Sequence, residues 1–185
     1  MQNALVAIAH QGAATVARIA GLRERARAVG VPVVTVQHQD DELEPGTEGW
    51  HIAPALAPAP GEAVVPKSSP DSFLDTGLDA ALRGMGVTEL VVTGFATEIC
   101  VESTTRRALS LRYDVVLVAD AHTTSLRTGP GPYAAPEASI AHHNEIYRNL
   151  RFPGRTIRVL RTAEVDFTAA PAATATVRPA EVTTA

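Results

Sequence analysis

The sequence predicts an α/β domain built around a parallel sheet. Apolar runs of strand length alternate with stretches of helical periodicity, and the runs are apolar along their whole length rather than at every second residue. Strands of that kind need cover on both faces, which a parallel sheet flanked by crossover helices supplies. Size agrees: 185 residues with 45% hydrophobic content suffice for one domain with a substantial core.

The elements follow in order. From Ala14 to Val29, Val16, Ile19, Ala20 and Ala26 fall at helical spacing with arginines between them, and Gly30 closes that helix. Val31–Val36 reads as a buried strand. A loop rich in acids, glycine and proline then runs past Trp50 to Pro60, and loops of that length are usually functional or disordered. Ala63–Val65 is the next strand, followed by a helix over Leu74–Arg83 and a strand at Leu90–Val92. A helix over Glu98–Leu111 leads to the strand Val115–Val118. The following loop contains Gly129-Pro-Gly-Pro132, which is turn chemistry rather than a phosphate cradle. A helix over Pro136–Leu150 and a last strand at Ile157–Leu160 complete the domain, residues 1–167. Residues 168–185, largely Ala, Pro, Thr and Val without periodicity, read as a disordered tail.

A net charge of -4 with no basic stripe argues against nucleic acid or an anionic membrane as partner. No apolar run approaches the roughly 20 residues that cross a bilayer. The N-terminus lacks the basic start and apolar core of a signal peptide. The single cysteine excludes an intramolecular disulfide framework and fits a reducing compartment. The expectation is a cytoplasmic protein.

Two singletons mark a site. Cys100, the only cysteine, ends Gly94-Phe-Ala-Thr-Glu-Ile-Cys100, which reads as a turn between a buried strand and the first turn of a helix. A thiol there feels the positive end of the helix dipole, and unpaired N–H groups nearby can hold an oxyanion. Burial as a small apolar filler is the competing reading. Of the 16 residues that are lysine or arginine, only Lys67 is lysine. It follows the apolar run that ends at Pro66, at the C-terminal end of a strand, and in open α/β sheets ligands bind along that edge.

These segments resemble the isochorismatase-like cysteine hydrolases. The resemblance is carried by Gly94-Phe-Ala-Thr-Glu-Ile-Cys-Val101, Pro66-Lys-Ser-Ser-Pro-Asp-Ser-Phe73, Pro45-Gly-Thr-Glu-Gly-Trp50 and Leu117-Val-Ala-Asp-Ala121. It implies a Rossmann-like three-layer α/β/α sandwich, often assembled into homo-oligomers, with a Cys–Lys–Asp constellation. Cys100 is then the nucleophile that forms a thioester, and Lys67 stabilises thiolate and aspartate together. The same pattern places a non-proline cis peptide between Ala96 and Thr97, turning N–H groups near Thr97 and Cys100 toward the oxyanion.

The aspartate has no match. In the family it ends the first strand, in a pattern of apolar run, Asp, apolar residue, Gln, Asn, and this sequence opens Met1-Gln2-Asn3. The register puts the aspartate just before the first residue and leaves out the first strand, which is central in the family's sheet. The favoured expectation is a start assigned too late, and a gap inside the sheet rather than a trimmed edge. The competing reading makes Leu5–Ile8 the first strand, with His10 as base.

Other candidates have plainer readings beside them. His38, Asp40 and His51 fall where some relatives bind a metal, but Gln37-His-Gln-Asp40 does not reproduce the family's Asp-x-His pair, so no metal is expected. Trp50 and Phe73 are candidates for a pocket wall, for core packing or for an oligomer interface. Glu98 reads as a substrate contact or, in the favoured reading, as favouring the helix start electrostatically, and His142 and His143 read as structural or interfacial. The expected function is hydrolysis of a C–N bond in a small amide, lactam or carbamoyl compound, with a small molecule and a second copy as partners and no cofactor. The alternative is an inactive binding or scaffold protein, motivated by the absent aspartate.

Overall fold

The structure is a computed structural model describing residues 1–127 and 131–168. The tail from residue 169 and residues 128–130 of the glycine–proline turn lie outside the described residues. Five α-helices and five strands follow one another along the described residues: α1 Asn3–Ile8, α2 Gly12–Ala28, β1 Val34–His38, β2 Ala63–Lys67, α3 Leu78–Gly84, β3 Glu89–Phe95, α4 Glu102–Ser110, β4 Asp114–Thr123, α5 Pro136–Asn149 and β5 Ile157–Leu160. Every strand ladder is parallel, as the uniformly apolar runs require.

β4 shows why the chain layers as it does. Val115 to Val118 are buried on both faces. Val116 and Val118 pack with Ile19 and Leu22 of α2. Val115 lies with Leu82 of α3 and Ala108 and Leu109 of α4, and Leu117 with Val101 and Tyr147 of α5. Alternation along one strand thus sorts α2 to one face and α3, α4 and α5 to the other, and each valine buried this way contributes about 1.5–3 kcal/mol.

Among the described residues the strands form two sheets, β1–β2 and β3–β4–β5, and no ladder joins β1 to β3. This is the expected internal break. β3 is consequently half-buried at every position, because only its β4 edge is paired. The sheets are coupled instead by side chains: Val34, Val36 and Val65 share one apolar cluster with Leu90, Val92 and Val115.

Four local readings change. Leu5–Ile8 lies within α1, so the competing first strand with His10 at its end does not form. β1 begins at Val34 rather than Val31; Pro32 lacks an N–H, and the register with β2 starts at Ala63. α3 begins at Leu78 rather than Leu74. Asp71 Oδ1 accepts the Phe73 N–H at 2.8 Å and the Thr76 hydroxyl donates to Ser72 O at 2.6 Å, local bonds that compete with a helix. The helix expected from Glu98 opens as a π-helical turn, Thr97–Val101, before α4.

The N-terminal segment crosses the C-terminal edges of both sheets. The Gln2 side chain donates to His38 O at 2.8 Å and accepts the His38 N–H at 3.0 Å, pairing with the end of β1 as a strand would. Beyond α1, the His10 N–H donates to Thr124 O at 2.8 Å and the Leu126 N–H to Ile8 O at 2.7 Å. These bonds tie the ends of β1 and β4 together on the side where ligands bind in open α/β sheets.

Candidate active site

Lys67 ends β2 and is 7% exposed. Its Nζ donates to Ser69 O at 2.7 Å and Pro70 O at 3.1 Å. The carbonyls belong to the turn that follows the strand, so the chain folds back over its own ammonium. Among the described residues no carboxylate lies within ion-pair distance of that ammonium.

Cys100 is half-buried and unpaired in the π-helical turn that enters α4. Four residues on, Thr104 lies about one helical turn further along the same face. Its Oγ1 donates to Pro70 O at 3.3 Å, the carbonyl that also accepts from Lys67. It accepts in turn from the Ser72 N–H at 3.1 Å and the Ser72 hydroxyl at 2.8 Å. Thr104 therefore fastens the lysine's turn to the helix of the thiol, across the break between the sheets.

The turn before Cys100 leaves donors free. Ala96 O accepts both the Ile99 N–H at 3.1 Å and the Val101 N–H at 3.0 Å. The N–H groups of Thr97 and Glu98 find no acceptor among the described residues, as expected at the first positions of a helix. The cis peptide is Phe95–Ala96, one residue earlier than the Ala96–Thr97 bond expected from sequence. Gly94, at φ 126°, supplies a backbone conformation closed to other residues just where β3 breaks register with β4.

The remaining candidates separate. Glu98 is ion-paired with Arg127, and the same oxygen accepts the Thr124 hydroxyl. Phe73 is packed in the core, stacked on Tyr113 with ring centroids 5.9 Å apart, so it fills space rather than walling a pocket. Trp50 is half-buried at the end of β1; its carbonyl accepts from the Gln2 and Gln37 side chains, while its indole N–H has no acceptor among the described residues. His38 and Asp40 touch at 2.9 Å, but His51 lies against Glu48 at 3.8 Å, so the three do not converge. His10 reaches Glu137 at 3.6 Å. His143 bonds to Ser139 O within α5, and His142 packs edge-on against it.

An open cleft of about 410 Å³ lies past the end of β2, lined by Gln39, Asp40, Asp41, Glu44, Pro45 and Ser68, with Lys67 itself outside the lining. Gln39 is anchored there through its N–H to Lys67 O at 2.9 Å.

Three residues have roles that the sequence does not single out: Gln2, matched there only as part of a motif, which caps β1, Thr104, and His122. His122 is buried, with Nδ1 2.8 Å from Thr97 Oγ1 and Nε2 3.0 Å from Asn144 Oδ1. In the sequence it is only a histidine four residues beyond the apolar run Val115–Val118; its place level with Gly94 comes from the strand register.

The isochorismatase domain model matches residues 1–130. A streptothricin hydrolase of Streptomyces noursei is 46% identical over 110 residues, covering 58% of this chain and 40% of that protein. A ureidoacrylate amidohydrolase, RutB, of Methylobacterium radiotolerans is 33% identical over 159 residues, 69% of this chain and 60% of that one. The chain thus spans roughly half the length of these two relatives. The crystal structure of an isochorismatase family protein from Burkholderia thailandensis superposes with a TM-score of 0.70 at 31% identity, covering 89% of this chain and 88% of the other.

Proposed function

The chain belongs to the isochorismatase family, and from that premise we propose that it is a cysteine-dependent hydrolase of a C–N bond in a small amide, lactam or carbamoyl compound. The observation that supports the reading is the Lys67–Pro70–Thr104 link: the carbonyl that accepts from the Lys67 ammonium also accepts from Thr104, four residues along the chain from Cys100. The names of the two relatives, a streptothricin hydrolase and a ureidoacrylate amidohydrolase, support the reaction type.

The chemistry follows from the groups present. Lys67 favours the Cys100 thiolate electrostatically, and the thiolate attacks the carbonyl carbon. Negative charge that develops on the carbonyl oxygen is taken by the free N–H groups of Thr97 and Glu98. The leaving nitrogen takes up, through solvent, the proton that the thiol gave up; water then adds its hydroxyl to the acyl carbon of the thioester and its remaining proton returns to sulfur, regenerating the thiol as the acid leaves. A second reading has an observation of its own. The Lys67 ammonium lacks a carboxylate partner among the described residues, so the base implied by the family resemblance has no counterpart there, which favours a binding or scaffold protein.

Intact-protein mass spectrometry separates the two. The chain is incubated with a panel of small amides that includes ureidoacrylate and streptothricin. An acyl adduct that disappears in Cys100→Ser supports the hydrolase. A folded chain that forms no adduct across the panel, and whose Cys100 reacts with iodoacetamide no faster than a free thiol, supports the binding protein.

A further inference from the structure

We propose that His122 is a positioning residue for the nucleophile turn: held between Asn144 and Thr97, it fixes the Thr97 hydroxyl and with it the direction of the free N–H groups ahead of Cys100. The proposal rests on the cysteine-hydrolase reading and names how that site is held.

The three side chains are buried together, Thr97 at 1%, His122 at 2% and Asn144 at 7% exposure. They come from the π-helical turn, β4 and α5. The meeting depends on the irregularity in the β3–β4 ladder. Between the pairs Val92–Leu117 and Gly94–His122, β3 advances two residues and β4 five. That slip sets His122 level with Gly94, three residues before Thr97.

The direction of each bond follows from its neighbours. Asn144 Nδ2 donates to Ala119 O at 3.0 Å, so the atom facing His122 is the acceptor Oδ1. His122 Nε2 must then carry the proton, and Nδ1 keeps its lone pair. The Thr97 hydroxyl, 2.8 Å from Nδ1, is therefore the donor. A threonine at the start of a helix ordinarily turns its hydroxyl to nearby backbone. Here it reaches across to another element, which ties the first residue of the turn to the sheet.

The surroundings keep the imidazole neutral. Burial pushes its pKa down first, the bond to Asn144 opposes this, and His143 from α5 lowers it further while Asp120 from β4 raises it. Glu98, from the nucleophile turn itself, is neutralised by Arg127. Protonation at Nδ1 would leave Thr97 facing a donor and force its hydroxyl to find another acceptor.

Two measurements test this on the full chain. Long-range proton–nitrogen correlation spectra of the histidine-labelled protein at pH 7 should show His122 with its proton on Nε2; a proton on Nδ1, or an imidazolium, overturns the assignment. Alkylation of Cys100 by iodoacetamide at pH 7 should slow about five- to tenfold in Thr97→Val, the worth of one buried hydrogen bond. Thr97→Ser should recover most of that loss. Asn144→Asp, whose carboxylate favours the imidazolium, should move the acid limb of the alkylation profile to higher pH. A folded Thr97→Val that alkylates at the native rate sinks the proposal. Failure of the hydrolase reading would show differently, as an Nε2 proton and intact variant effects with no acyl adduct on any amide.

Discussion

Thr104→Val keeps the shape of the side chain and removes its hydroxyl. That oxygen accepts from the Ser72 N–H at 3.1 Å and the Ser72 hydroxyl at 2.8 Å, and donates to Pro70 O. Ser72 is 4% exposed, so its N–H loses a partner without regaining water. An orphaned buried donor costs about 1–3 kcal/mol, and each hydrogen bond lost elsewhere about 1 kcal/mol. The expected loss of unfolding free energy is about 3–5 kcal/mol, read from the urea midpoint at constant slope. The same change loosens Pro70, one of the two carbonyls that hold the Lys67 ammonium. Alkylation of Cys100 by iodoacetamide at pH 7 should therefore slow about fivefold. The two readouts belong together. A valine variant within about 0.5 kcal/mol of the native protein, alkylating at the native rate, would refute the coupling of lysine and thiol through Thr104.

Three further outcomes are expected. Lys67→Met replaces a buried ammonium that has two carbonyl partners by an apolar chain of similar length. It should raise the urea midpoint while slowing Cys100 alkylation at least about tenfold; a variant both less stable and equally reactive would show the charge to be structural. Glu62 is held at a pKa of about 2, first by its bond from Arg27 and against its burial, with the Ala59 N–H and Arg23 assisting. Its folded value lies below the unfolded 4.5, so its stabilisation is complete above that pH and lost as pH falls toward 2. Glu62→Gln should cost about 1 kcal/mol at pH 7, screening at Arg27 limiting the effect, and the difference from native should vanish at the acid end of urea titrations. Leu117→Ala, which removes a fully buried side chain packed with Val101 and Tyr147, should cost about 3–5 kcal/mol in the same assay.

Much of this architecture was legible because one physical rule dominated locally. The run Val115–Val118 could only be a strand covered on both faces, and Gly30 could only end a helix. Cys100 and Lys67 stood out as singletons at strand ends, and the structure links their elements through Thr104 and Pro70. What escaped depends on partners distant in sequence. Leu5–Ile8 is apolar enough for a strand, but its neighbours at Gly49, His51 and Thr124 hold the segment as a short helix crossing the sheet edges. Thr104 is one of four hydroxyl residues in α4, and nothing local distinguishes it from Ser103 or Thr105; Ser72 and Pro70 select it. His122 depends on a slip between two strands, which periodicity along either strand does not reveal. The cis peptide falls one residue before the position the motif implies, because the motif marks the turn and not the bond within it.

Because no ladder crosses between β1 and β3, the molecule has two hydrogen-bonded units of unequal strength. A two-stranded sheet is marginal by itself, whereas β4 is paired on both edges and covered on both faces. Amide exchange should accordingly proceed through partial opening of β1–β2 well before β3–β4–β5 gives way. Lys67 rides on the weaker unit and Cys100 on the stronger. Warming would separate ammonium from thiol while most of the backbone protection persisted, so thiol reactivity would fade at a lower temperature than the one at which the chain melts.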